Sequence, residues 1–332
     1  MDNGANLIKS IFNDALDFND ACLQVFRFQY ANNNIYKQYV DALAVPVSKI
    51  DQPAKIPFLP IRFFKTHRII STTFTTNLVF ESSGTTETIN SKHYVKDAAI
   101  YEQSFNKCFE QFYGKPDEWC VLGLLPSYLE RQNSSLVYMV QKLIDQSGHD
   151  QSGFYLNDFD KLIKTLQTLE AVGQKTLLIG VTFGLLDFAE KYKMPLKHTI
   201  VMETGGMKGR RREMIRAEVH DILKQAFSLN TIHSEYGMTE LLSQAYSHGN
   251  GLFKTPDWMR ILLRDEEDPL TVKEDTTTAR TRGLINIIDL ANIYSCSFIA
   301  TDDLGVLNND GSFEVTGRMD NSDLRGCSLL VV

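Results

Sequence analysis

"TLLIGVTFGLLDFAEKYKMPLKHTIVMETGG", residues 176–206, holds the unit from which the fold of this chain can be read. The run from Thr176 to Ala189 is the most hydrophobic in the sequence, yet two glycines break it and Asp187 interrupts it. It is too short to span a bilayer and reads as a buried strand running into a helix. A second apolar segment, "TIVMET" (199–204), follows. Strand, helix and strand in that order form a crossover unit, which predicts parallel strands covered on both faces.

Working outward, the same alternation continues in both directions. Toward the amino end come strand-like "NLVFES" (77–82), a helix from about Ser91 to Phe112, strand "WCVLGLLP" (119–126), helix "SSLVYMVQKLI" (134–144) and a helix near Asp158 to Leu169. Toward the carboxyl end, helix "RREMIRAEVHDILKQAF" (211–227) precedes a short strand-like "NTI" (230–232). From about Met259 only short strands follow: "MRILLRD", "GLINIIDL", "SFIATDD" and "GSFEVTG". That change predicts an antiparallel or barrel-like subdomain beside a crossover α/β part. The first 45 residues have helical period, with Leu7, Ile11, Phe12, Leu16, Cys22, Val25 and Phe26 on apolar positions. A proline-spaced stretch, "QPAKIPFLPIRFF" (52–64), then leads into the core. The expected organisation is a helical segment over 1–75 packed on a core over 76–316, with a hinge remnant and tail over 317–332.

Composition narrows the function classes. The chain has 332 residues, 43% hydrophobic and 23% charged, with a formal charge of −7. An acidic balance argues against nucleic acid or an anionic membrane as main partner. The five cysteines, Cys22, Cys108, Cys120, Cys296 and Cys327, are odd in number and lack paired spacing, so neither a disulfide framework nor a zinc site is expected. The opening "MDNGANLIKSIFNDALDF" is acidic and has no signal-peptide order, which with the cysteines points to the cytoplasm.

In open α/β sheets, ligands collect at the carboxyl ends of strands. Three loops stand there: "ESSGTTET" (81–88), "ETGGMKG" (203–209) and "HSEYGMTE" (233–240). The first offers amide and hydroxyl donors to an anion such as phosphate. The second has glycines that let backbone approach a flat ring. The third places an aromatic face, a hydroxyl and a carboxylate close together.

These words, with "TDDLG" (301–305) and "TGRMD" (316–320), stand in the order of the core motifs of the adenylate-forming superfamily, which the chain resembles from about Asn77 to Asp320. "LLPSYLERQNSSLVYM" (124–139), "GGMKGRRREM" (205–214) and "DLRGCSL" (323–329) look like the bacterial acyl-protein synthetases (LuxE-type) of the bioluminescence fatty-acid reductase system. The resemblance implies an α/β adenylate-forming large-domain fold whose carboxyl-terminal cap domain is absent or truncated. It implies ATP and Mg2+ as cofactors. Ser82, Ser83, Gly84, Thr85 and Thr86 would hold the β- and γ-phosphates, with Lys92 supplying charge from the first turn of the next helix. Tyr236 would lie against adenine, with Gly205 and Gly206 leaving room beside it and Gly237 within the same motif. Thr239 would donate to the α-phosphate, Glu240 would ligate magnesium, Asp303 would accept the ribose hydroxyls, and Arg318 would meet ribose and phosphate from the far side.

By that likeness a carboxylic acid, a fatty acid being the implied substrate, becomes an acyl adenylate, and the acyl group passes to Cys327, with Arg325 lowering the thiol's pKa. An acyl reductase, a thioesterase-type donor or a carrier protein is the implied partner. A ligase acting on coenzyme A, or a nucleotide-binding scaffold without turnover, are the alternatives. Glu87 departs from the family pattern, standing where the phosphate loop usually has glycine. Tyr128, Leu129, Tyr138 and Met139 are candidates for an acyl pocket, although apolar residues at that density are more often core. The arginines of "GRRRE" (209–213) crowd a helix start, where the macrodipole disfavours cations.

Overall fold

The computed structural model describes residues 3–82, 89–126, 133–156, 158–205, 214–273 and 280–319. The chain opens with helices α1 (Asn3–Ile11), α2 (Phe18–Asn32) and α3 (Asn34–Ala42). Strand β1 (Leu59–Pro60) and the single turn α4 (Phe63–Thr66) follow. The amino-terminal segment is therefore not helical throughout. Proline spacing breaks the helical pattern, and Leu59 and Pro60 pair in parallel with Ile299 and Ala300.

Next come β2 (Leu78–Glu81), β3 (Lys92–Val95), α5 (Ala98–Tyr113), β4 (Cys120–Leu124), α6 (Ser135–Ser147), β5 (Gly153–Phe154) and α7 (Phe159–Val172). The opening quotation resolves into β6 (Thr176–Gly180), α8 (Thr182–Lys191) and β7 (Thr199–Glu203). Then follow α9 (Arg216–Phe227), β8 (His233–Tyr236), β9 (Ala245–Ser247) and β10 (Leu252–Lys254). The last strands are β11 (Met259–Arg264), β12 (Arg280–Asp289), β13 (Phe298–Asn308) and β14 (Phe313–Arg318).

Among the described residues, twelve strands form one sheet in the order β11-β12-β13-β14-β10-β9-β8-β7-β6-β4-β5, with β1 alongside β13. The pairs β4–β5, β4–β6, β6–β7 and β7–β8 are parallel, whereas those from β8–β9 through β12–β13 to β11 are antiparallel. The β-rich part expected from Met259 onward is thus present, but its strands continue the α/β sheet instead of standing apart. Backbone pairing through β9 and β10 makes that join.

Strands β4 and β6, in the middle of the parallel part, are buried along their whole length because both faces are covered. In β6, Leu177 and Ile179 enter one core with α2, α5 and α6, while Leu178 enters a second core with α7, α8 and α9. Helix starts are set by side-chain caps: Asp97 accepts from Ala99 N, Ser134 from Val137 N and Asp158 from Lys161 N. Each such cap contributes about 1 kcal/mol.

Two boundaries differ from expectation. The helix predicted from Ser91 begins at Ala98, because residues 92–95 pair antiparallel with β2 and Asp97 caps the helix only afterwards. The strand predicted at "NTI" lies one step later, at His233–Tyr236, where β8 pairs with both β7 and β9. Among the described residues no helix is long and apolar enough to cross a membrane.

Candidate active site

Strand β8 delivers the Tyr236–Glu240 segment to the carboxyl end of the parallel strands. Ser234 and Tyr236 point to one face and are buried. The Tyr236 ring packs against Phe253 and Phe313, with centroids 5.8 and 5.6 Å away. Its hydroxyl donates to Asp303 Oδ2 at 2.9 Å. Asp303 on β13 lies directly opposite Arg318 on β14, whose Nε donates to Asp303 Oδ1 at 2.9 Å. Three residues spread over 83 positions of sequence thus meet through one carboxylate. Burial, and then the negative charge of Asp303, hold the Tyr236 phenol well above its ordinary range. The Arg318 side chain is 55% exposed, so it presents its guanidinium to solvent from one edge of this cluster.

Beyond Tyr236 the chain turns, and Glu240 is buried at 5% exposure. Burial raises its carboxyl pKa, against a hydrogen bond from the Ser91 side chain and the more distant charges of Arg318 and Lys65. Ser91 belongs to a clamp at the neck of the "SSGTT" loop: Ser82 N donates to Ser91 O at 3.1 Å and Ser91 N donates to Ser82 Oγ at 2.9 Å. The β2–β3 hairpin therefore brings the root of that loop to Glu240.

The opposite face of β8 carries Glu235, whose carboxyl is pushed up to about 8 by burial and then by the charge of Glu203. Its own charge reaches Tyr101, Cys108 and Tyr246. Gly237 passes so close that a Cβ there would sit 2.4 Å from Glu235 Oε1. Gln244 also approaches Gly237, and its Oε1 is buried without a partner among the described residues.

At the end of β7, Glu203 anchors the glycine loop. It accepts from Gly205 N at 2.8 Å and Arg216 Nε at 3.2 Å, with Thr182 Oγ1 at 3.3 Å. Burial alone would raise its pKa, but His220, Arg216 and the Gly205 N–H hold it at about 2. Gly205 has φ of +75°, and among the described residues nothing lies within 4 Å of where a Cβ would be.

Sequence reasoning missed the residues that hold the Thr239–Glu240 segment from behind. His93 Nδ1 lies 2.8 Å from Thr239 O, and Asn292 Nδ2 donates to Glu240 O at 2.7 Å. Asp289 accepts from Leu242 N, Ser243 N and Ser243 Oγ. Gln29 on α2 donates to the carbonyls of Asn292 and Ile293, so the amino-terminal helices brace this support. The available signal was faint: polar residues inside the apolar "LINIIDLANIY" stretch (284–294).

Other expected residues fall as follows. Lys92 opens strand β3, not a helix, and its Nζ lies 3.5 Å from Glu81 Oε1. Met139 is buried in the core, and Tyr138 donates to Glu102 Oε1 at 2.5 Å. Cys22, Cys108, Cys120 and Cys296 are free and buried. Burial pushes the thiols of Cys22 and Cys296 up to about 12 and that of Cys120 to about 11. Ser83, Gly84, Thr85, Thr86, Glu87, Tyr128, Leu129, Gly206, the 209–213 arginine run, Arg325 and Cys327 lie outside the described residues.

A family model described as "Acyl-protein synthetase, LuxE" matches residues 13–332. The chain belongs to the LuxE acyl-protein synthetase family. A search of curated proteins finds no match to this LuxE-family chain. Among solved structures, a 2-hydroxyisobutyryl-CoA ligase in the postadenylation state with R3-HIB-AMP is similar at TM-score 0.60 and 11% identity, over 94% of this chain and 70% of that one. The luciferase-like enzyme of the mealworm Zophobas morio is similar at TM-score 0.52 and 15% identity, over 77% of this chain. The match spans 61% of that enzyme's length. A long-chain-fatty-acid-CoA ligase from Archaeoglobus fulgidus matches at TM-score 0.52 and 12% identity, over 74% of this chain and 52% of its own. At such identities the likeness concerns the fold: the LuxE-family chain has the large-domain fold of adenylate-forming enzymes.

Proposed function

We propose that this LuxE-family protein is an ATP-dependent acyl-protein synthetase that activates a carboxylic acid, a fatty acid in the first instance, as its acyl adenylate. The observation that carries the reading is the convergence of Tyr236, Asp303 and Arg318 through two hydrogen bonds of 2.9 Å, at the strand end that also delivers Thr239 and Glu240. Asp303 and Arg318 would receive the ribose, with the base beside the glycine loop that Gly205 opens. Glu240 fits a magnesium site because it is a buried carboxylate with no ion-pair partner among the described residues, and burial raises its pKa. A divalent cation bound there would offset that cost, neutralise phosphate charge and need no further carboxylate.

A carboxylate is already ionised at neutral pH, so the first step needs no general base. Its oxygen attacks the α-phosphorus, the bond to the bridging oxygen breaks, and pyrophosphate leaves. The main requirement is to neutralise two approaching anions, which Thr239, Arg318 and the donors of residues 82–86 would meet. In the second step the Cys327 thiolate attacks the acyl carbonyl and AMP departs. Burial of the other four cysteines supports Cys327 as acceptor. The onward acceptor is a partner protein.

Acid-dependent exchange of pyrophosphate into ATP, run over a panel of carboxylic acids, tests the first step. Glu240→Gln should depress exchange at least about ten-fold and raise the magnesium requirement. Labelling with radioactive fatty acid should be lost in Cys327→Ala, and label that persists there would remove Cys327 from the pathway. Exchange absent with every acid would overturn the reading.

A further inference from the structure

His93 stands on β3, the strand returning from residues 83–88, and is 1% exposed. Both its ring nitrogens face oxygen: Nδ1 lies 2.8 Å from the Thr239 carbonyl and Nε2 lies 2.9 Å from Asn292 Oδ1. A carbonyl oxygen only accepts, so Nδ1 must carry hydrogen to bond it. Asn292 is not free to turn its amide round, because Nδ2 already donates to Glu240 O at 2.7 Å and Cys296 O at 3.0 Å. Its Oδ1 is thereby fixed toward the ring, and Nε2 must carry hydrogen as well. A neutral imidazole has one N–H, so it could satisfy one contact and would set lone pair against lone pair at the other.

We propose that His93 is a positioning residue for the Thr239–Glu240 segment, donating from both ring nitrogens as an imidazolium. One nitrogen holds the Thr239 carbonyl directly, and the other fixes the Asn292 amide that holds the Glu240 carbonyl. The strand leaving the "SSGTT" loop and the segment bearing the proposed metal carboxylate then move as one body. Burial works against the charge and pulls the ring down to about 4, against the effect of the two acceptors. The locked Asn292 decides between these: a neutral ring leaves a buried acceptor without its donor, and the held amide cannot turn round to relieve it. The inference rests on the proposed adenylation site for its kinetic consequence, but not for the ring's protonation.

The test has two parts. In protein labelled with 15N histidine, the His93 signals, assigned by their loss in His93→Gln, should show both ring nitrogens protonated at pH 7. A bare ring nitrogen would overturn the proposal, whether or not the protein has activity. In acid-dependent exchange, His93→Asn places an amide near the Nδ1 position and His93→Gln near the Nε2 position, so each retains one link. Each should lower kcat about ten-fold with little change in KM for the acid, and His93→Phe should lose more. Wild-type kcat in a folded His93→Phe would also overturn it. If the wild type itself shows no exchange, the proposed function fails while the labelling experiment still decides His93.

Discussion

Replacing Glu235 by glutamine should flatten the pH dependence of stability. The carboxyl sits beside Gly237 on the face of β8 opposite Tyr236, with its pKa pushed from 4.5 to about 8. A carboxyl raised in the folded state binds its proton more tightly there than in the unfolded chain. Its stabilisation is therefore greatest below the unfolded pKa and is lost as pH rises from about 4.5 toward 8. Linkage puts the loss between pH 5 and pH 8 at about 3 kcal/mol, because the native state keeps a proton over most of that window and the unfolded state does not. Other groups titrate in the same range: Asp289 is raised to about 6 and His233 lowered to about 4. The comparison of the two proteins cancels these. Urea unfolding at half-unit steps of pH should give a wild-type minus Glu235→Gln difference that falls by about that amount across the window. Parallel curves would mean that Glu235 is ionised when folded, and that the account of its burial is wrong.

Asp303→Asn replaces one of the two oxygens that accept separately from Tyr236 and the half-exposed Arg318 with an amide donor, so stability should fall by only about 1 kcal/mol. Exchange should fall at least about ten-fold, and equal losses in both measurements would make the cluster merely structural. Gly205→Ala meets no atom of the described residues but must adopt φ of +75°. A cost of about 1 kcal/mol is expected from the backbone alone, and an unchanged urea midpoint would contradict the left-handed conformation. A thiol reagent should spare Cys22, Cys108, Cys120 and Cys296 in the native protein and modify all five cysteines after denaturation, since these four are buried. Rapid modification of any of those four in the native state would contradict their burial.

Much of the fold is legible because periodicity and burial are linked locally. "TLLIG" could be read as a strand covered on both faces, and Leu177, Leu178 and Ile179 do divide between two cores. The Ser91 boundary was less legible. Lys92–Val95 is too short to separate strand from helix by pattern, and only its partner β2 settles it. The site shows the same division. Tyr236, Asp303 and Arg318 could be singled out as motif words, but His93, Asp289 and Asn292 belong to no motif, and each matters through a backbone carbonyl or amide far along the chain.

Residue order alone was enough to assign the crossover alternation and the motif sequence from "SSGTT" to "TGRMD", because each depends on neighbours within one element or on residue type. Only the tertiary structure decided that the antiparallel strands continue the same sheet. It alone showed that Tyr236 reaches Asp303, and that a buried histidine and asparagine hold the Glu240 segment. Those outcomes depend on hydrogen bonds between residues separated by 67, 146 and 52 positions, and such pairings leave no periodic trace in the sequence.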